Sequence, residues 1–128
     1  MKRYLLDTHI LLWWLIDSPK LSDLVREILS DPNNYIAVSV VSAWEINIKL
    51  SSNKEFKMLA SVEECLDEKN GFNILPVSAK HVFELEQLPN LHKDPFDRML
   101  IAQAISEECV LISSDKSITE YPGVSVVG

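Results

Sequence analysis

Four acids in four separate stretches carry the chemistry this chain could do: Asp7 in LLDTH, Glu45 in SAWEI, Asp97 in DPFDR and Asp115 in ISSDK. Only oxygen donors accompany them. Thr8 and Ser113 bring hydroxyls beside two of the acids, Asp94 adds a carboxylate near a third, and no thiolate or imidazole cluster stands with them. Such a donor set suits Mg²⁺ or Mn²⁺ over zinc. These ions keep part of their water shell and bind substrate phosphates, so the implied reaction is hydrolysis at phosphorus. One metal would generate the attacking hydroxide, and a second would stabilise the leaving oxygen.

Each acid, taken alone, also has a plainer explanation. Asp7 could cap the helix that follows it. Glu45 could complete a capping box with Ser42 and pair with Lys49 at i,i+4, an exposed pair worth ~0.3 to 0.5 kcal/mol. Asp94 and Asp97 could cap and charge a helix start, and Asp115 could sit in a turn beside Lys116. Convergence decides between the two readings, because carboxylates a few ångströms apart raise one another's pKa unless a cation joins them.

The elements that must bring the acids together follow from patterning. The stretch HKDPFDRMLIAQA, His92 to Ala104, opens a helix with Asp94 as its cap and Pro95 at the first position, where a missing N–H costs nothing. Ile101, Ala104 and Ile105 share a helical stripe with Asp97, so that acid is expected to face the fold. Strands are expected at Arg3 to Leu6, Tyr35 to Ser39, Phe72 to Val77, Val110 to Ser113 and Val124 to Val127. Helices are expected over Thr8 to Leu15, Ser22 to Ser30, from Ser42 onward, over Ser61 to Asn70 with a Ser61/Glu64 capping box, and over Ser78 to Gln87. Lys54 to Met58 reads as irregular and Ser114 to Thr119 as a turn. Short strands without polar alternation, separated by helices, give an α/β fold: a three-layer α/β/α sandwich around a parallel sheet of about five strands. Ligands of such sheets bind beyond the carboxyl ends of the strands. Asp7, Glu45, Asp115 and the start of the Asp97 helix all belong to that end.

Bulk properties narrow the function. With 128 residues, 47% of them hydrophobic and 24% charged, the chain reads as one domain, residues 1–128, with one core. A net charge of −7 and a pI of about 4.9 exclude the broad basic face of a passive nucleic-acid binder. Lys49, Lys93, Arg98 and Lys116 are the cations nearest the acids in sequence, and each could touch a substrate backbone or simply be solvated. His9 and His92 are weaker candidates. Cys65 and Cys109 lie far apart, which points to a reducing compartment and no zinc site. The start is no signal peptide, since Asp7 and His9 interrupt it, and no run approaches the ~18 apolar residues of a membrane span. A soluble cytoplasmic protein is expected. Trp13 and Trp14, adjacent on one helix, cannot both face the same core, so either one indole marks an interface or packing covers both.

Asp7-Thr8, Glu45, the DPFDRMLIAQA segment and Ser113-Ser114-Asp115, in this order across nearly the whole chain, resemble the PIN-domain family, and most of all its small bacterial toxin ribonucleases of VapC type. The resemblance implies sheet order 3-2-1-4-5 and RNA cleavage dependent on Mg²⁺ or Mn²⁺. Asp7, Glu45, Asp97 and Asp115 match the family's acidic quartet, Ser113 stands where a Thr is common, and Asp94 is a supporting residue. It also implies a homodimer held inactive by an antitoxin whose peptide would cover the acidic pocket and the groove by the Trp13 and Trp14 helix. Alternatives are a DNA nuclease on the same fold and a catalytically silent interaction module. A phosphoacceptor signalling domain fits less well. It wants an acidic pair after the first strand and an acceptor Asp after the third, where this chain has Asp7 alone and Pro76-Val77-Ser78.

Overall fold

β-branched and leucine-rich runs of a few residues alternate along the chain with longer stretches of helical spacing, and the chain folds accordingly. The structure, a computed structural model, describes residues 2–52, 62–91 and 94–128. Five strands, β1 (Arg3–Leu6), β2 (Tyr35–Ser39), β3 (Asn73–Leu75), β4 (Val110–Ile112) and β5 (Val126–Val127), form one sheet. Every pairing is parallel and the order is β3-β2-β1-β4-β5, as the family resemblance implies. The helices are α1 (Thr8–Leu15), α2 (Asp23–Ser30), α3 (Val40–Ser52), the short α4 (Val62–Cys65), α5 (Ala79–Gln87) and α6 (Pro95–Ser106).

Strand alternation divides the core in two. Tyr4, Leu6, Ile36, Val38 and Ile112 pack beneath Ile10 and Leu11 of α1 and Val25 of α2. Leu5, Ala37 and Leu111 face the other way, onto Leu100, Ile101 and Ala104 of α6. α5 covers α6. Leu5 sits opposite Ala37 on one side and Leu111 on the other, and it is fully buried. A leucine in that position contributes about 1.5 to 3 kcal/mol by leaving water. α3 follows β2 without a loop and gives Ile46 to one core and Val41 to the other. Its first turns therefore stand at the carboxyl edge of the sheet.

Several elements differ from their sequence expectation. Ser22 is the cap of α2, accepting from Val25 N–H at 3.2 Å, and not its first residue. α3 begins at Val40, two residues before Ser42, so Glu45 lies in its second turn and the Ser42 capping box is not made. β3 stops at Leu75 because Pro76 has no N–H to continue the ladder. The helix expected over Ser61 to Asn70 is α4 followed by a 3₁₀ turn, Glu68–Asn70, closed by Gly71 at φ +80°. Ser61 and Lys54 to Met58 lie outside the described residues. The turn after β4 winds into a 3₁₀ segment, Lys116–Glu120, and the last strand keeps only Val126–Val127. Trp13 and Trp14 are both half-buried against the core, their rings tilted on His9 at 6.2 Å and Phe72 at 6.4 Å, so packing covers each in part. Among the described residues, the strongly exposed aromatics are Trp44 and Phe83, at 61% and 65%.

Candidate active site

β1 delivers Asp7 to the carboxyl edge. The Asp7 N–H donates to Ile112 O at 3.0 Å, a last rung between β1 and β4, after which the backbone turns and the side chain caps α1 by accepting from Ile10 N–H at 2.8 Å. The carboxylate is only 4% exposed. Burial pushes its pKa above the ordinary carboxylate value, and nearby Glu45 adds to the rise. The Ser113 hydroxyl, the Ile10 N–H and His9 pull against it.

α3 delivers Glu45. The helix is tied to the end of β1 where the Thr8 hydroxyl donates to Ser42 Oγ at 3.1 Å, which is what Ser42 does in place of capping. Glu45 is 6% exposed. One oxygen, Oε2, pairs with Lys49 Nζ at 3.2 Å, the expected i,i+4 pair. The other, Oε1, is buried and has no hydrogen-bond partner among the described residues. A buried acceptor left so costs about 1 to 3 kcal/mol, and more when charged.

The remaining acids occupy helix starts at the same edge. Asp94 caps α6, accepting from Phe96 N–H at 2.8 Å and Asp97 N–H at 3.3 Å, with Pro95 at the first position. Asp97 follows in the first turn, half-buried, and Ile101 and Ala104 further along the helix are fully buried. Asp115 caps the 3₁₀ segment through Ser117 N–H and Oγ at 2.9 and 2.7 Å, and its own N–H donates to Ser113 Oγ at 3.1 Å. Of the candidate cations, Lys116 is exposed beside an open cleft of about 270 Å³ lined by Ser113, Asp115 and Thr119. Arg98 is engaged internally with Pro89 O at 2.8 Å and Tyr121 Oη at 3.1 Å. His92 and Lys93 lie outside the described residues.

Asp7 and Glu45 are thus brought within mutual repulsion, with Thr8, Ser42 and Ser113 hydroxyls around them. Among the described residues, no three Asp, Glu, His or Cys side chains stand at metal-cluster spacing. The donor chemistry nonetheless fits a hard divalent cation. Mg²⁺ keeps several waters and needs only one or two direct carboxylates. A cation would also relieve both the strain of two buried acids and the orphaned Oε1.

Two features escaped sequence reasoning. Trp44 and Phe96, each one residue before a candidate acid, meet edge to face at 5.0 Å and line an almost wholly apolar groove of about 510 Å³ with Val77, Leu85 and Met99. Nothing in the hydrophobic spacing distinguishes these residues from core. The second is a buried polar chain through Ser39, Gln103 and His81. Its signal was present, since Gln103 falls three residues after Leu100 on an apolar face.

The PIN domain family model matches residues 4–124. No curated protein matches in sequence. Among solved structures, VapBC2 from Rickettsia felis bound to a promoter DNA fragment aligns at 24% identity and TM-score 0.74, covering 98% of this chain and 97% of that one. DNA-bound VapBC from Salmonella typhimurium aligns at 14% identity and TM-score 0.69, covering 99% and 98%. FitAcB from Neisseria gonorrhoeae aligns at 18% identity and TM-score 0.68, covering 98% and 96%. PIN domains are nucleases and generally use divalent metal ions. Fold, strand order and a family match across nearly its whole length place this chain in the PIN domain family.

Proposed function

We propose that residues 1–128 act as one nuclease domain, a cytoplasmic endoribonuclease dependent on Mg²⁺ or Mn²⁺ and the toxin of a toxin–antitoxin pair. The observation that carries the reading is the pair of buried acids at the carboxyl edge: Asp7, whose ionisation burial opposes, and Glu45, with its orphaned oxygen. Two such groups make sense where a cation completes them. Asp7 and Glu45 would hold the ion, with Asp97, Asp115 and the Thr8 and Ser113 hydroxyls completing its surroundings and Asp94 fixing the start of α6. When bound, the ion supplies an activated water and neutralises charge on the phosphate. The protein's own part is orientation. The Ile10 N–H fixes the Asp7 carboxylate, the Thr8 to Ser42 bond fixes α3 against β1, and Lys116, exposed at the open cleft, attracts the RNA backbone. Of the other candidate cations, Lys49 already faces Glu45, Arg98 is engaged internally, and Lys93, next to Asp94 in sequence, is a further candidate for the RNA backbone.

Toxin–antitoxin complexes among the solved relatives support a cognate antitoxin as partner. A homodimer completes the reading. The test is cleavage of single-stranded RNA and DNA of the same sequence with Mg²⁺ or Mn²⁺. Metal-dependent RNA cleavage, abolished by EDTA and by Asp7→Asn, is expected. Preferential DNA cleavage, or cleavage indifferent to EDTA, rejects the assignment.

A further inference from the structure

Gln103 is a polar side chain with no exposure at all, on the helix that begins with Asp94 and Asp97. Its Oε1 accepts from the Ser39 hydroxyl at 2.5 Å, and its Nε2 faces Pro76 O and His81 Nδ1, each at 3.4 Å. Ser39, equally buried, ends β2, and its Oγ accepts from Val41 N–H at 3.0 Å, one of the donors that the start of α3 leaves without a helical partner.

The direction of every bond in this chain is set from one end. Glu107 Oε2 lies 2.7 Å from both Lys80 Nζ and His81 Nε2. A carboxylate there accepts, so Nε2 carries the proton and Nδ1 is an acceptor, as the Ser78 N–H donating to it at 3.0 Å also requires. The Gln103 amide must then turn its NH₂ toward His81 and Pro76 and its oxygen toward Ser39. A flipped amide would face Oε1 with a carbonyl and an imidazole lone pair. Only this orientation of the amide keeps acceptor from facing acceptor, and it joins α5, α6 and the β2–α3 junction.

We propose that Gln103 is a positioning residue of the acidic site: by holding Ser39 at the head of α3, it fixes α6, and with it Asp97, against the helix that carries Glu45. The apolar cluster joining these elements, with Val41, Leu100 and Ile101 among its members, is non-directional and tolerates sliding. A slip of one residue moves a helix by about 1.5 Å, whereas a metal site tolerates only about 0.5 Å. The directional bond supplies what packing does not. This inference rests on the metal-dependent reading above.

Calorimetric titration with Mn²⁺ alone, unfolding without metal, and RNA cleavage at saturating Mn²⁺ are compared for the wild type, Gln103→Met, Asp97→Asn and the double variant. Gln103→Met keeps volume and removes the bonds. It is expected to weaken Mn²⁺ binding roughly ten- to hundredfold, the range for residues that orient metal ligands, and to lower kcat with KM for RNA unchanged. In the Asp97→Asn background it is expected to change Mn²⁺ affinity no further. Ser39→Ala cuts the same bond by deleting one oxygen, so it is expected to reproduce the loss even if Gln103→Met does not fold. Variants that melt earlier yet bind Mn²⁺ as the wild type does overturn the positioning role and leave the nuclease reading standing. A wild type that takes up no Mn²⁺ overturns both.

Discussion

Replacing Asp7 by Asn separates what this residue does for the fold from what it does for the site. Asn caps a helix about as well as Asp, so the bond from Ile10 N–H, 2.8 Å long in the native chain, survives. The substitution forfeits the attraction between a carboxylate and the start of α1, about 0.3 to 1 kcal/mol. It gains by removing a charge that burial disfavours and that Glu45 repels. These effects oppose, and the metal-free variant should unfold within about 1 kcal/mol of the wild type in urea. Asp7→Ala also loses the cap and should cost about 1 to 2 kcal/mol. Metal separates them further. A ligand at a hundred times its Kd stabilises by about 2.7 kcal/mol, roughly 10 °C in Tm for a chain of this size. The wild type should show such a rise with Mn²⁺ and Asp7→Asn almost none. An Asp7→Asn protein whose Tm still climbs with Mn²⁺, or one destabilised as much as Asp7→Ala without metal, would refute the idea that Asp7 is a ligand held by a cap.

Other perturbations test the remaining elements. Lys80 and His81 hold Glu107 below its ordinary pKa, so in the window between its folded and unfolded values the unfolded chain binds the extra proton. The resulting stability is fully present above a pH of about 4.5 and fades as pH falls through the lowered value. Glu107→Gln should cost about 1 to 2 kcal/mol at neutral pH, and urea unfolding at successive pH values should show the gap to the wild type narrowing on the acid side. Leu100→Ala empties a fully buried position under the sheet and should cost 2 to 5 kcal/mol by the same measurement, roughly. Trp44→Ala gives up one edge-to-face contact with Phe96, worth about 0.5 to 1.5 kcal/mol. If the groove joins two copies, it should also shift sedimentation toward the monomer, and an unchanged dimer would place the interface elsewhere.

Helix positions and the Asp94–Pro95 start of α6 were legible because each rests on local rules, helical spacing, capping chemistry and a proline at the first turn, whereas the sheet order came only from the family resemblance. Element ends were less so. Ser42 looks like a helix start from its neighbours, but β2 runs straight into α3, and Ser39 supplies the hydroxyl that Ser42 was expected to give. The tryptophan pair left two readings open for a related reason. Trp13 and Trp14 stand out in sequence, yet His9 and Phe72 cover them in part, while Trp44, inconspicuous beside Glu45, is the one left in solvent. Exposure depends on what the rest of the chain brings, which spacing along one helix does not contain. The same holds for Gln103, whose partners come from three other segments.

Capping, which sequence sets against chemistry as a rival explanation of the acids, leaves each capped carboxylate one oxygen outside the cap bond. The bonds that cap α1, α6 and the 3₁₀ segment all run to Oδ1 of Asp7, Asp94 and Asp115. A carboxylate gripped by one oxygen at a helix start has lost its rotamer freedom before any ligand arrives, so less entropy is forfeited on binding. The three caps belong to the carboxyl edge of a parallel sheet, so the same local rule that starts each helix also fixes a carboxylate at that edge. Glu45, coming from the body of α3, lacks that device, and its Oε1 is left without a hydrogen-bond partner among the described residues. Its placement depends on α3 as a whole, through Thr8 to Ser42 at one contact and Ser39 to Gln103 at the other. Among the described residues, these two buried side-chain bonds tie down the helix whose carboxylate has no cap to hold it.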